Sequence, residues 1–425
     1  MSAGTASHGS VAAEPSSERS TSPNTRWVLL LVGVGIALAA LNLRTAITSV
    51  GPVLDEVTAG LGMSAVGAGL LTTLPVLCFA LFGGLTPTLV RRLGDHHVLV
   101  YALIALTVGL TARAFAPEPW LFLALSVVAL SGGAVGNVLL PALVKQHFPH
   151  RVGLMTTVYT TGLAAGTALA AGVTVPVEQA TGEWRVALGV YALFGLVAVL
   201  PWLAVLRHGT RPGAEKTGMG FLQVLRTGLG WQAVLYFGSQ SAIAYIMFGW
   251  YAQMLRDQGM DASTAGVLLA YLTTLGIPMS LLLPTLLTRV HDHRGFVLLF
   301  GFTYLAGFAG LWFSPLQGVW VWTTLIGVGM GSFVFALTMF ALRTRTRDAT
   351  AALSAVGQSL GYLMGGSGPF LFGLLHDLTD GWYAPLLLLV FLVVVNLGVG
   401  WSLGRPRYLE DAVARRGASR ANRSG

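Results

Sequence analysis

Twelve apolar stretches of about 20 residues recur between Trp27 and Gly404, and this repetition limits the fold more than any other feature of the chain. They cover 27–48, 64–86, 97–116, 119–142, 152–176, 184–206, 231–255, 263–288, 296–314, 317–341, 351–375 and 382–404. Each is long enough for a helix to cross roughly 30 Å of hydrocarbon. Backbone polar groups find no partner in lipid, so only helices or closed barrels can span it, and runs this long are not alternating strands. The expected fold is an all-α membrane protein. Composition agrees: 54% of the residues are hydrophobic and 10% are charged, too few charges to cover the surface of a globular protein in water. This excludes a cytosolic enzyme, a nucleic-acid binder and a disordered chain.

The net charge of +8 is then a matter of topology. With both termini on the cytoplasmic side, 21 of the 25 lysines and arginines fall on that side. Arg113, Arg185 and Arg256 fall on the other, and Arg44 lies inside span 1. The chain is therefore expected in the cell (inner) membrane, multi-pass, with its lipid bilayer as solvent. Residues 1–26 read as a disordered cytosolic tail without a cleaved leader. Cys78 is the single cysteine, and no Cys/His cluster has metal-ligand spacing, so neither a metal nor a cofactor is expected.

The chain repeats itself. Pro87-Thr88-Leu89, Arg92, Asp95 and His96 match Pro284-Thr285-Leu286, Arg289, Asp292 and His293 at an offset of 197. Thr181 and Trp184 match Thr379 and Trp382 at an offset of 198. Gly162 and Gly166 match Gly361 and Gly365. Two six-helix repeats in the same orientation follow, an N-terminal bundle over 27–206 and a C-terminal bundle over 231–404. A cytosolic linker at 207–230 joins them, and a cytosolic tail at 405–425 follows. Two such halves around a central pathway describe the major facilitator architecture. The glycine rows Gly132/Gly136, Gly162/Gly166 and Gly357/Gly361/Gly365 read as close-packing faces, and Gly368-Pro369 predicts a kink in span 11.

Polar residues in lipid need a partner or a watery cavity, so their placement points to a pathway. Span 1 carries Asn42 and Arg44, span 4 Asn137, span 5 Tyr159 and Thr160, span 7 Gln240 and Tyr245, and span 11 Gln358 and Tyr362. Arg44 is the most informative, because an arginine at mid-membrane costs about 3 kcal/mol on insertion scales. It reads either as a fixed positive charge for an anion or electron-rich solute, or as a side chain snorkelling to the outer headgroups. Gln240 and Tyr245 read either as solute contacts or as interhelical bonds, and Asn137 is divided the same way. No carboxylate occupies the centre of any span, which argues against a cationic solute and against a buried acid relay.

Leu41-Asn42-Leu43-Arg44 followed by Ala46-Ile47-Thr48-Ser49-Val50-Gly51-Pro52 resembles the span 1 signature of the cyanate and 2-nitroimidazole transporter (CynX/NimT) family of the major facilitator superfamily. Gln240-Ser241 with Tyr245 and Trp250 resembles its span 7. Arg343-Thr344-Arg345 resembles the loop after its span 10. Gln358, Gly361-Tyr362, Gly368-Pro369 and His376-Asp377 resemble its span 11. Thr45 stands where the family usually has proline, Ala252 replaces a frequent proline, and Thr88 sits where an aspartate is usual. The resemblance implies secondary active transport, by alternating access, of a small-molecule substrate: a small anion such as cyanate or a small neutral heteroaromatic. It leaves the coupling ion open, and a monomer that binds no nucleic acid is expected. A drug or metabolite efflux carrier of the same superfamily is the competing reading. A membrane-embedded transferase is disfavoured by the missing mid-span acids and by loops no longer than about 23 residues.

Overall fold

A computed structural model describes residues 23–149, 151–206 and 219–414. Most of the expected tail at 1–26, half of the linker and the last part of the C-terminal tail lie outside the described residues.

The described residues form twelve helical columns. Span 1 is Pro23–Leu43 with Thr45–Thr48 and Leu54–Leu61, span 2 Ala65–Leu93, span 3 Asp95–Ala114, and span 4 Pro119–His147. Span 5 is Val152–Thr181, and span 6 is Trp184–Gly189 with Tyr191–Ala204. Span 7 is Gly228–Asp257, span 8 Ala262–Thr274 with Gly276–Thr288, and span 9 Arg294–Phe313. Span 10 is Val319–Gly329 with Ser332–Leu342, span 11 Arg347–Gly365 with Ser367–Thr379, and span 12 Tyr383–Leu403. Ten of the columns are long and apolar enough to cross a membrane by length and composition; spans 7 and 11 fall short. Those two carry the polar residues that a lipid-facing helix avoids, and both pack where the two sets of six helices meet.

Several helices run past their apolar stretch. Span 2 continues from 86 to Leu93 and span 5 from 176 to Thr181, because helical hydrogen bonding persists into the headgroup region where charges are tolerated. The residues after span 12 dock: Leu409 is buried and its N–H donates to the Arg343 carbonyl at 2.9 Å.

The repeat reaches the turns. Gly182 (φ 71°) ends span 5 in the left-handed conformation, and Asp380 (φ 46°), 198 residues later, does the same after span 11. Aspartate is among the few non-glycine residues that visit this region routinely. Glycine rows meet neighbouring backbone as expected. A β-carbon on Gly166 would overlap the Leu41 carbonyl of span 1, and one on Gly365 would sit 2.9 Å from the Gly238 carbonyl of span 7.

Helix breaks fall where chemistry weakens the ladder. Span 11 breaks at Gly366, three residues before Pro369, whose missing N–H frees the Gly365 carbonyl. Span 1 breaks at Arg44 without a proline. There the Thr45 hydroxyl donates to the Asn42 carbonyl at 2.8 Å and to the Asn42 side chain at 2.9 Å, a competing local bond of the kind that bends helices.

The two sets of six touch through spans 2 and 11, spans 5 and 8, and the broken end of span 1 against span 7. Opposite the chain termini the contact is tight. Arg256 of span 7 makes two bonds to Glu56, at 3.0 and 2.7 Å, and a third to the Pro52 carbonyl at 3.2 Å. Trp250 Nε1 donates to Thr72 Oγ1 of span 2 at 3.2 Å.

The other end carries the repeated Asp-His pair. His293 is buried; its Nδ1 accepts from Arg343 at 2.8 Å, so its Nε2–H must donate to the Leu287 carbonyl at 2.9 Å. Burial, reinforced by the Arg343 guanidinium, holds its pKa below the ordinary imidazole range. The unfolded chain therefore takes up this proton at a higher pH than the folded one, so the neutral form's contribution is present above the unfolded pKa and is lost as pH falls through the folded one. Thermal melts followed by tryptophan fluorescence should show Tm falling between about pH 7 and pH 5. The fall should be shallower in His293→Asn. An identical slope in that variant would assign the titration to another group.

Candidate functional site

The break in span 1 positions the central charge. The Arg44 carbonyl accepts from the N–H groups of Ile47 and Thr48 at 3.1 Å each, which restarts the helix and leaves Arg44 at the joint. Its guanidinium lies over the Phe79 ring of span 2, 5.6 Å from the centroid. The phenols of Tyr159 (span 5), Tyr245 (span 7) and Tyr362 (span 11) lie within electrostatic reach of it. Four columns, two from each set of six, thus surround one cation carried by span 1.

The rings also contact one another. Tyr362 is 5.6 Å from Phe79, 4.9 Å from Phe237 and 6.3 Å from Tyr245, the last two edge-on. Such packing holds flat faces and hydroxyl groups in fixed directions around the charge. Among the described residues, the ion pairs involve Arg256, Arg294 and Arg345, and no carboxylate neutralises Arg44. The Tyr245 hydroxyl is buried beside Arg44 without completing a hydrogen bond of good geometry to a protein group. The enclosure therefore offers positive potential, O–H donors and aromatic faces, and no negative charge.

Of the candidates read from sequence, Arg44, Tyr245 and Tyr362 come together. Gln358 lies one turn from Tyr362 and donates to Ser354 Oγ at 2.6 Å along its own helix. Asn137 is half-buried on span 4, between Gly133 and Gly136, which pack on Leu43, and Val138. Asn42 points into the first half, where its amide nitrogen meets Gly195 of span 6. Gln240 is fully buried within the second half. Its Nε2 donates to Tyr304 Oη at 3.0 Å, and its carbonyl oxygen accepts from Tyr304 and from Ser332. That reciprocal knot ties span 7 to spans 9 and 10 away from Arg44.

Phe79 and Tyr159 complete the enclosure; Tyr159 is among the polar span residues read from sequence, and Phe79 is not. Phe79 carries no signal, being one aromatic in an apolar run. Tyr159 was legible only as a polar group on span 5.

The family model described as Major Facilitator Superfamily matches residues 32–369. The chain is 36% identical to the uncharacterized transporter YycB of Bacillus subtilis, over 91% of this chain and 96% of that one. It is 33% identical to the 2-nitroimidazole transporter of Escherichia coli, over 91% of this chain and 98% of that one. It is 27% identical to the cyanate transport protein CynX of Escherichia coli, over 85% and 95%. In fold it is similar to a bacterial homolog of the human lysosomal transporter Spinster, with TM-score 0.74 and 17% identity, covering 92% of this chain and 99% of that one.

Proposed function

We propose, from the premise that this chain belongs to the Major Facilitator Superfamily, that the solute it carries is a small anion of the cyanate type or a small planar heteroaromatic of the nitroimidazole type. The protein is a secondary transporter working by alternating access. One observation carries the choice of solute: Arg44 stands without a neutralising acid inside an enclosure of phenols and one phenyl ring, at the junction of the two halves. A cation there would meet an uncompensated like charge, whereas an anion or an electron-rich nitro group would be drawn in. A flat solute can also stack on Phe79 or Tyr362. Support comes from the relatives named for 2-nitroimidazole and cyanate.

In this reading the bundles 27–206 and 231–404 rock about the Arg44 enclosure, as a monomer in the cell membrane with both termini cytoplasmic. The excess of positive residues at the end bearing the termini supports that orientation. Reporter fusions at Arg211 and after Arg405 should both give cytosolic signals, and a periplasmic signal from either reverses the topology. The substrate reading is tested with purified protein in proteoliposomes. Labelled cyanate or 2-nitroimidazole should accumulate above protein-free vesicles, while an organic cation should not. Transport of the cation alone would overturn it.

A further inference from the structure

We propose that Arg113, Ser126 and Tyr245 form a second anion site, separate from the Arg44 guanidinium, that takes one halide-sized ion. Arg113 is fully buried near the end of span 3 remote from the chain termini. Its terminal nitrogens donate to the Ala46 carbonyl at 3.2 Å and, over a long 3.4 Å, to Ser49 Oγ. Its Nε–H has no protein partner, and among the described residues no carboxylate pairs with it. A buried guanidinium without a counter-charge is costly, so an anion gains by joining it.

Two other groups converge on the same place. Ser126 is fully buried one turn along span 4 from Phe122, whose ring lies 5.9 Å from the Arg113 guanidinium carbon. Its hydroxyl has no protein partner, and that of Tyr245, which is 3% exposed, lies beside Arg44 without a hydrogen bond of good geometry. Arg113, Ser126 and Tyr245 line one cavity of about 20 Å³, walled by the broken segment of span 1 and by Thr72. Thr72 Oγ1 is already engaged, accepting from Trp250 and donating to backbone within its own helix. The side-chain groups without a well-formed bond around this space can all donate at once: one N–H of a cation and two hydroxyls, with the fixed charge of the guanidinium setting the sign. That set selects an anion over a cation.

Size narrows the ligand. A space of 20 Å³ on this scale holds about one water-sized body. A monatomic halide is of that size. The site also has a mechanical consequence. Arg113 holds the Ala46 carbonyl just beyond the span 1 break, and Tyr245 faces both cations. A halide here would steady the span 1 segment against span 7 and hold that end of the carrier shut.

The experiment is a thermal melt of the purified full-length protein at constant ionic strength, with bromide as probe and gluconate as the control anion. In the wild type, 100 mM bromide should raise Tm by about 2 °C over gluconate. Arg44→Gln should keep the shift, which separates this site from the one proposed for the carried solute. Arg113→Gln should lose it, and Ser126→Ala should weaken bromide severalfold. Equal melts in bromide and gluconate would mean that water alone suits the cavity and would overturn the proposal. A shift kept in Arg113→Gln but lost in Arg44→Gln would also overturn it, by placing the anion at Arg44. Should Arg113→Gln fail to fold, Ser126→Ala decides, and an unchanged bromide midpoint there counts against the site.

Discussion

Replacing Arg44 with alanine should cut cyanate flux into proteoliposomes by about 100-fold at low solute concentration, while folded yield stays close to wild type. The size follows from the charge-assisted bonding that alanine cannot make. Hydrogen bonds to a charged group contribute about 1.5–3 kcal/mol each, and each 1.4 kcal/mol is a factor of ten. The planar fork can make two such bonds, and two near the low end of that range give two decades. Arg44→Lys keeps the charge but loses the planar fork, so a loss nearer tenfold is expected. Stability should hold or rise, because the substitution removes a half-buried cation that no carboxylate compensates. Tyr362→Phe is the companion variant. It keeps the packing on Phe79 and Phe237 and removes one hydroxyl, so it should raise the apparent KM and leave insertion unchanged. Near-normal flux in Arg44→Ala, with matched protein per vesicle, would remove Arg44 from the solute path.

The twelve columns were legible because the hydrocarbon thickness fixes a length that sequence either meets or does not. Their rotation was less legible, and the candidate residues divide along that line. Asn42 and Arg44 are two apart, about 200° around a helix, so one faces the bundle interior when the other faces the axis. Gln240 and Tyr245 are five apart, about 140° after a full turn, and cannot share a face. Only Tyr245 reaches Arg44, and Gln240 closes its knot with Tyr304 and Ser332. That spacing was in the sequence; which of the two turned inward depended on where span 11 packs. Gln358 and Tyr362, four apart, do lie on one face. Asn137 stands 195 residues before Ser332, yet Ser332 bonds Gln240 while Asn137 is half-buried on span 4, so a shared place in the repeat does not fix side-chain direction. The bend at Arg44 needed no proline, because Thr45 supplies the competing hydrogen bond by another route. Phe79 was beyond reach, since its role arises only when span 2 is laid beside span 1.

Breaking the ion pair between the halves should shift the carrier toward the conformation open at the end remote from the termini. Arg256 belongs to span 7, and Asp55 and Glu56 to the extension of span 1, so separation of the halves there must break the pair. The geometry is the strong kind: two bonds to one carboxylate, with side chains 18% and 24% exposed. Discounted for partial solvation, such a pair contributes about 1.5 kcal/mol, which is roughly tenfold in the population of the opened state. Glu56→Gln should therefore raise labelling of Val50→Cys by a membrane-impermeant maleimide about tenfold, in a Cys78→Ala background. Val50 is a fit reporter because it is 5% exposed and lines the closed end. Arg256→Glu adds a fourth carboxylate to Asp55, Glu56 and Asp257, so repulsion replaces attraction. Labelling should rise further, and flux should fall about tenfold because the closed state is seldom reached. The double exchange Glu56→Arg with Arg256→Glu restores opposite signs and should recover much of both. Labelling that stays at the wild-type level in Glu56→Gln and in Arg256→Glu would show that Trp250, Thr72 and the span 1 backbone hold this end shut without the charges.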